Sequence, residues 1–148
     1  MTFADTIVAT ARSWIGTPYK HQASLKHIGC DCIGLVIGIW REIYGKDPED
    51  FKLPHYSPRW AEETGIELMK LTADRYLTPI PITDKAPGDV LMYRMFPRCA
   101  TKHAAIMATP DTIIHAYMGH AVMESAPIAN VGASLRYVYR YPKHEEVS

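Results

Sequence analysis

The sequence lacks most of the special devices by which proteins are stabilised or targeted. It has only three cysteines, an odd count without framework spacing, which excludes a disulfide scaffold and leaves at least one thiol free. It has no excess of charge: 16 lysines and arginines balance 16 aspartates and glutamates. Attraction to nucleic acid or to an acidic bilayer by bulk charge is thereby excluded. No stretch approaches the ~20 apolar residues of a membrane span. The opening MTFADTIVATARSWIG carries Asp5 where a secretion signal is basic, and Arg12 breaks its apolar run. The expectation is therefore synthesis in the cytoplasm without a signal peptide. Gly-rich phosphate loops, internal repeats and low-complexity tracts are missing as well.

What is present is a globular composition, 47% hydrophobic and 22% charged over 148 residues. That suffices for a single domain, 1–148, with a core that needs no staples. Thr2 is placed to cap a first helix, in which Phe3, Ile7, Val8, Ala11, Trp14 and Ile15 recur at helical intervals until Gly16, Thr17 and Pro18 stop it. The stretch GCDCIGLVIGIWRE starts a second helix, largely buried, with Asp31 as N-cap and Gly45 as its end. A third, amphipathic helix is predicted from Arg59 to about Leu77. The turn-rich flanks make residues 47–87 an elaboration or lid between the two halves of the domain. After Gly88 the period changes to two, and DVLMYRM, HAAIMAT, TIIHAY, AVMESA and SLRYVYRY read as strands. Their short connections predict an antiparallel meander. Helices first and strands afterwards give an α+β domain with a helix packed on one sheet face.

Three chemistries compete for the paired cysteines. Cys32, on the first turn of a helix, sits where unpaired N–H groups and the helix dipole favour a thiolate, so a lowered pKa and a nucleophilic role are expected. The bland alternative is a packed, inert thiol. A nucleophile needs a base, and His103 and His115 lie on strands joined by a tight turn at Pro110. If paired residues on these strands have numbers with an even sum, both imidazoles leave the same sheet face; an odd sum separates them. A three-residue loop centred on Thr109 or Pro110 gives the even case. His103 would then take the thiol proton, and His115 would hold its ring. The third chemistry is a zinc-stabilised binding module using Cys30, Cys32, Cys99 and His103, although the usual two-residue cysteine spacer is missing.

The ordered set GTPYKHQ, GCDCIGL, KHAAIM and IIHAY resembles the NlpC-type cell-wall cysteine peptidases, particularly their phage and gene-transfer-agent tail-associated forms. The resemblance runs from Ala11 to Pro142 and is weakest over Asp47 to Thr83. It implies a papain-like α+β fold, with Cys32 as nucleophile, His103 as base and His115 as orienting residue. Tyr19 matches a tyrosine lining such sites, and Asp31 matches an acidic position that caps the nucleophile helix and in some members meets a substrate amine. The implied activity is hydrolysis of peptidoglycan stem peptides, commonly between D-glutamate and diaminopimelate, through a thioester and without metal or organic cofactor. The implied partners are the stem peptide and phage-like tail proteins, which would carry the enzyme to the cell wall. One departure is Ile33, where many members have serine; it spares the nucleophile but removes any substrate contact through that hydroxyl. Cys30 reads as packing or as a redox liability, not as a second nucleophile. Two further readings keep the fold: a structural tail or assembly component without activity, and an N-acyl amidase with the same machinery.

Overall fold

Thr2 opens the molecule as the sequence predicts. Its hydroxyl accepts from the Asp5 amide while the Asp5 carboxylate accepts from the Thr2 amide, a reciprocal cap that starts α1, Phe3–Ser13. The computed structural model describes residues 1–51 and 67–147. A two-stranded hairpin follows α1, β1 (Ser24–Leu25) with β2 (Gly29–Cys30), and leads into α2, Cys32–Tyr44. Asp31 caps α2 through the Gly34 amide, and Gly45 closes it at φ +76°, a left-handed turn that glycine adopts without strain. α1 and α2 pack closely because Gly38 has no side chain: a Cβ there would lie 2.3 Å from the Trp14 ring. Trp14 Nε1 then donates to Glu42 at 2.6 Å.

α3 spans Leu68–Tyr76 and ends at Leu77. The expected start near Arg59, like residues 52–66 of the expected 47–87 elaboration, lies outside the described residues. Six strands follow: β3 (Thr78–Ile80), β4 (Val90–Arg94), β5 (Thr101–Thr109), β6 (Thr112–Ala116), β7 (Val122–Ser125) and β8 (Ser134–Arg140). They form one sheet in the order β3-β8-β4-β5-β6-β7, every ladder antiparallel. The fold class is the expected α+β.

Two details depart from the sequence reading. The meander holds from β4 to β7 but not for β8, which crosses the sheet to lie between β3 and β4. The outer side of β7 is already taken: Gly16 and Tyr19 donate to the carbonyls of Val122 and His120, and Val122 donates to Thr17. The second detail is β3, read from sequence as part of a turn-rich connection. Pro79 belongs to a strand because that strand is an edge, where its missing N–H costs no ladder bond.

Alternation sorts the core into two clusters. Val90, Met92, Ala104, Ile106, Ile114 and Ala116 meet the helices, with Leu35 and Ile39 of α2 fully buried against them. Full burial of each such side chain stabilises by about 1.5–3 kcal/mol. Leu91, Tyr93, Ala105, Met107, Ile113 and Val138 form the other cluster, covered by Ile80, Met95, Ile128 and Leu135. Among the described residues no helix is long and apolar enough to cross a membrane.

Candidate active site

Register decides whether the two histidines can meet. At the β5–β6 turn Thr109 pairs with Thr112 across Pro110 and Asp111, a two-residue connection that by itself would give the odd sum. A bulge at Ala108 then adds one residue to β5, and from Met107↔Ile113 and Ile106↔Ile114 onward the sum is even. The three-residue loop expected from sequence is therefore absent, and the bulge does its work. His103 and His115 emerge on one face as diagonal neighbours, His103 Nε2 lying 2.7 Å from His115 Nδ1 with ring planes at 79°.

That face is not the one on which α2 packs. His103 stands directly opposite Tyr93, so both histidines share the parity of the second cluster and not of the positions that α2 covers. The thiol comes to the His103 end of β5 in another way. The β5–β6 ladder begins at Ile106, and the β4–β5 register skips Lys102 between His103 and Thr101. The start of β5 is thus available to the tip of α2, where Cys32 Sγ donates to the Lys102 carbonyl at 3.7 Å.

Cys32, His103, Tyr19 and Asp31 line one cavity of about 260 Å³, together with His21, Ile33, Lys102, Tyr117 and an apolar rim of Met95, Phe96 and Met118. Burial holds Cys32, His103 and Tyr19 toward their uncharged forms. Burial pushes the Cys32 thiol up to about 12; the Asp31 carboxylate adds to this, and the N–H groups of Ala104 and Ile33 oppose it without prevailing. The lowered pKa expected from the helix tip is therefore corrected, because desolvation outweighs the helix terminus. Burial, and then His115, lower His103 to about 3. His115, only 3% exposed, is lowered by burial. Tyr19 is raised to about 12, first by burial and then by Cys32, Asp31 and Cys30, so its hydroxyl is a donor at neutral pH.

Asp31 serves a helix and a loop at once. One carboxylate oxygen accepts from the Gly34 amide and the other from the Gln22 amide, each at 2.7 Å. The second bond holds Gln22 at φ +57°, a left-handed conformation that few side-chain-bearing residues adopt. Tyr19 is set between the β7 end of the sheet and Cys30 by its amide bond to His120 and a bridge to Cys30. Cys30 is fully buried in the helix-side core, raised to about 12 by burial and then by Asp31. Cys99 is half-buried in the loop before β5 and does not line the cavity. Among the described residues no three His, Cys, Asp or Glu side chains gather as a metal ion requires, so the zinc module lacks a donor set.

The model of the NlpC/P60 family matches residues 16–139 of this chain. The chain belongs to the NlpC/P60 family. No curated protein sequence matches it significantly. Among solved structures, the NlpC/p60 domain of the peptidoglycan hydrolase SagA is 24% identical at a TM-score of 0.60, covering 93% of this chain and 98% of that one. NlpC2 from Trichomonas vaginalis is 16% identical at 0.65, covering 93% and 46%. The peptidoglycan hydrolase RipB from Mycobacterium tuberculosis is 18% identical at 0.61, covering 95% and 65%. The chain thus spans nearly all of the SagA domain but under half of NlpC2. At these identities the likeness is one of fold.

Within this NlpC/P60 domain the sequence reading missed one polar neighbour of the histidine pair. Ser125, in the stretch AVMESA, lies 3.0 Å from His115 Nε2. The signal was available: alternation across β6 and β7 places position 125 opposite Ile113, two residues from His115 on the same face.

Proposed function

We propose that this chain is a cysteine peptidase that hydrolyses peptide bonds in bacterial peptidoglycan stem peptides. The observation that carries the reading is a single cavity in which a helix-tip thiol shares walls with an imidazole whose far nitrogen is gripped by a second imidazole. Membership of the NlpC/P60 family supports the coarser statement, a cell-wall hydrolase.

In the resting site the Cys32 thiol and His103 are both neutral. When a substrate carbonyl enters, His103 takes the thiol proton as the carbon–sulfur bond forms, and His115 keeps the imidazolium ring in place. The Cys32 amide at the tip of α2 and the Tyr19 hydroxyl stabilise the oxyanion. His103 returns its proton to the leaving amine as the carbon–nitrogen bond breaks. Water then adds to the thioester with its proton passing to His103, the carbon–sulfur bond breaks, and the thiolate recovers that proton. Asp31, on the cavity wall, offers a carboxylate to a substrate ammonium while it caps α2.

The sequence resemblance suggests the bond between D-glutamate and diaminopimelate. Delivery to the cell wall by a phage-like tail rests on the sequence resemblance alone. Incubation of the protein with peptidoglycan and defined stem peptides, followed by mass spectrometry, tests the reading. Cleavage at that bond is expected, and Cys32→Ala should abolish it while unfolding at nearly the same temperature. Release of intact stem peptides from the sugar would instead identify an amidase. Full turnover by Cys32→Ala, or fragments untouched by the wild type, would overturn the peptidase; the second result fits a structural tail component.

A further inference from the structure

A neutral imidazole in the third position raises a problem that a carboxylate would not. Two buried neutral rings joined by one hydrogen bond have two nearly equivalent arrangements. Either His103 donates from Nε2 to His115 Nδ1, or His115 donates from Nδ1 to His103 Nε2. Only the first leaves His103 Nδ1 without a proton and therefore basic. In the second, Nδ1 carries the ring proton and His103 has no lone pair left for a thiol. A carboxylate would impose the first arrangement by charge. Here something else must.

The hydroxyl of Ser125 supplies that bias. It lies 3.0 Å from His115 Nε2 and 3.0 Å from the carbonyl of Ala126. The hydroxyl donates its single proton to the Ala126 carbonyl, which can only accept, and Oγ turns a lone pair to His115. His115 must then hold its proton on Nε2, which leaves Nδ1 bare to accept from His103 Nε2–H across 2.7 Å. Reversing the pair would require Ser125 to turn its proton to His115 and abandon Ala126. Another neighbour of His115, the Tyr117 ring at 5.5 Å and 72°, makes an edge contact that selects neither tautomer.

The geometry points to Ser125 as a positioning residue: through Ala126 it fixes the tautomer of His115 and, through it, keeps His103 Nδ1 free as the base. This rests on the reading in which His103 deprotonates Cys32. No proton passes through Ser125 during turnover; when His103 gains its second proton, the other hydrogen bonds keep their direction.

Nitrogen NMR of protein labelled in its histidine rings tests the assignment without activity. In the wild type at neutral pH both His103 and His115 should show a protonated Nε2 and a bare Nδ1. Ser125→Ala should remove the bias, so that His115 becomes a mixture of tautomers. Its kcat on a stem peptide should fall about five- to tenfold with little change in KM, the size expected for one lost hydrogen bond. Ser125→Thr keeps the hydroxyl on a residue that suits a strand, and should restore both the spectrum and kcat. A wild-type His115 protonated on Nδ1, or tautomers unmoved in Ser125→Ala, would overturn the proposal. If the tautomers shift as stated but the wild type cleaves no stem peptide, the peptidase reading fails and the assignment of Ser125 stands.

Discussion

Cys32 feels two opposed influences, the helix terminus that favours a thiolate and the burial that forbids one. Burial wins, and the thiol stands near 12. The site is therefore a neutral thiol beside a neutral imidazole, not a preformed ion pair, and the rate of thiol chemistry should follow the small thiolate fraction. Alkylation of Cys32 by iodoacetamide is expected to keep rising from about pH 7 to about pH 10, without the plateau near neutrality of a low-pKa cysteine. A mass-spectrometric rate profile checks this. His103 carries a stability consequence of definite sign. Its value falls from an ordinary 6.5 to about 3 on folding, so between those limits the unfolded chain binds the proton more readily than the folded one. Stability is complete above 6.5 and declines as the pH falls toward 3. Melting temperatures measured from neutral down to about pH 4 should drop less steeply in His103→Gln than in the wild type. Residue identities were legible in the sequence; the state of the thiol was not, because desolvation depends on what surrounds it.

The element that positions the Cys32 thiol is the first turn of α2, and its tolerances are narrow. Gly34 faces the loop before β1 so closely that a Cβ would fall 1.8 Å from the Ala23 carbonyl, while Ser24 Oγ donates to the Gly34 carbonyl at 2.6 Å. About one helical turn apart, Gly34 and Gly38 thus fit α2 to a loop and to Trp14. Gly34→Ala and Gly38→Ala should each destabilise by about 1–3 kcal/mol in urea unfolding, because backbone and an indole must move aside. Gly34→Ala should also depress activity further, since the displaced loop is the one Asp31 holds beside the cavity. The cap and end of this helix were readable from Asp31 and Gly45. The close contacts were not, since a glycine in a helix does not name the neighbour it admits. The same holds for the β5–β6 hairpin: its turn residues suggested the register, but the bulge at Ala108 produced it.

At the scale of the molecule, strand order distinguishes this sheet from a simple meander. β8 is the last strand in the chain but lies inside the sheet, bonded to β3 on one side and β4 on the other. Arg140 at its end forms a fork to the buried Asp89 carboxylate at 2.8 and 2.9 Å, fixing β8 to the turn that begins β4. A truncation before Ser134 should therefore abolish cooperative thermal unfolding, whereas loss of a terminal edge strand would leave a destabilised but folded domain. Calorimetry separates the two. By itself the sequence determined the elements and the residue types: helical and two-residue periodicities are local, and a thiol after an N-cap or a histidine in a strand is visible one segment at a time. Only the tertiary structure decided which sheet face the histidines take, how the Cys32 thiol comes to share a cavity with His103 at the start of β5, and which partners surround His115. Those depend on pairings between segments far apart in the chain, and on the burial those pairings create.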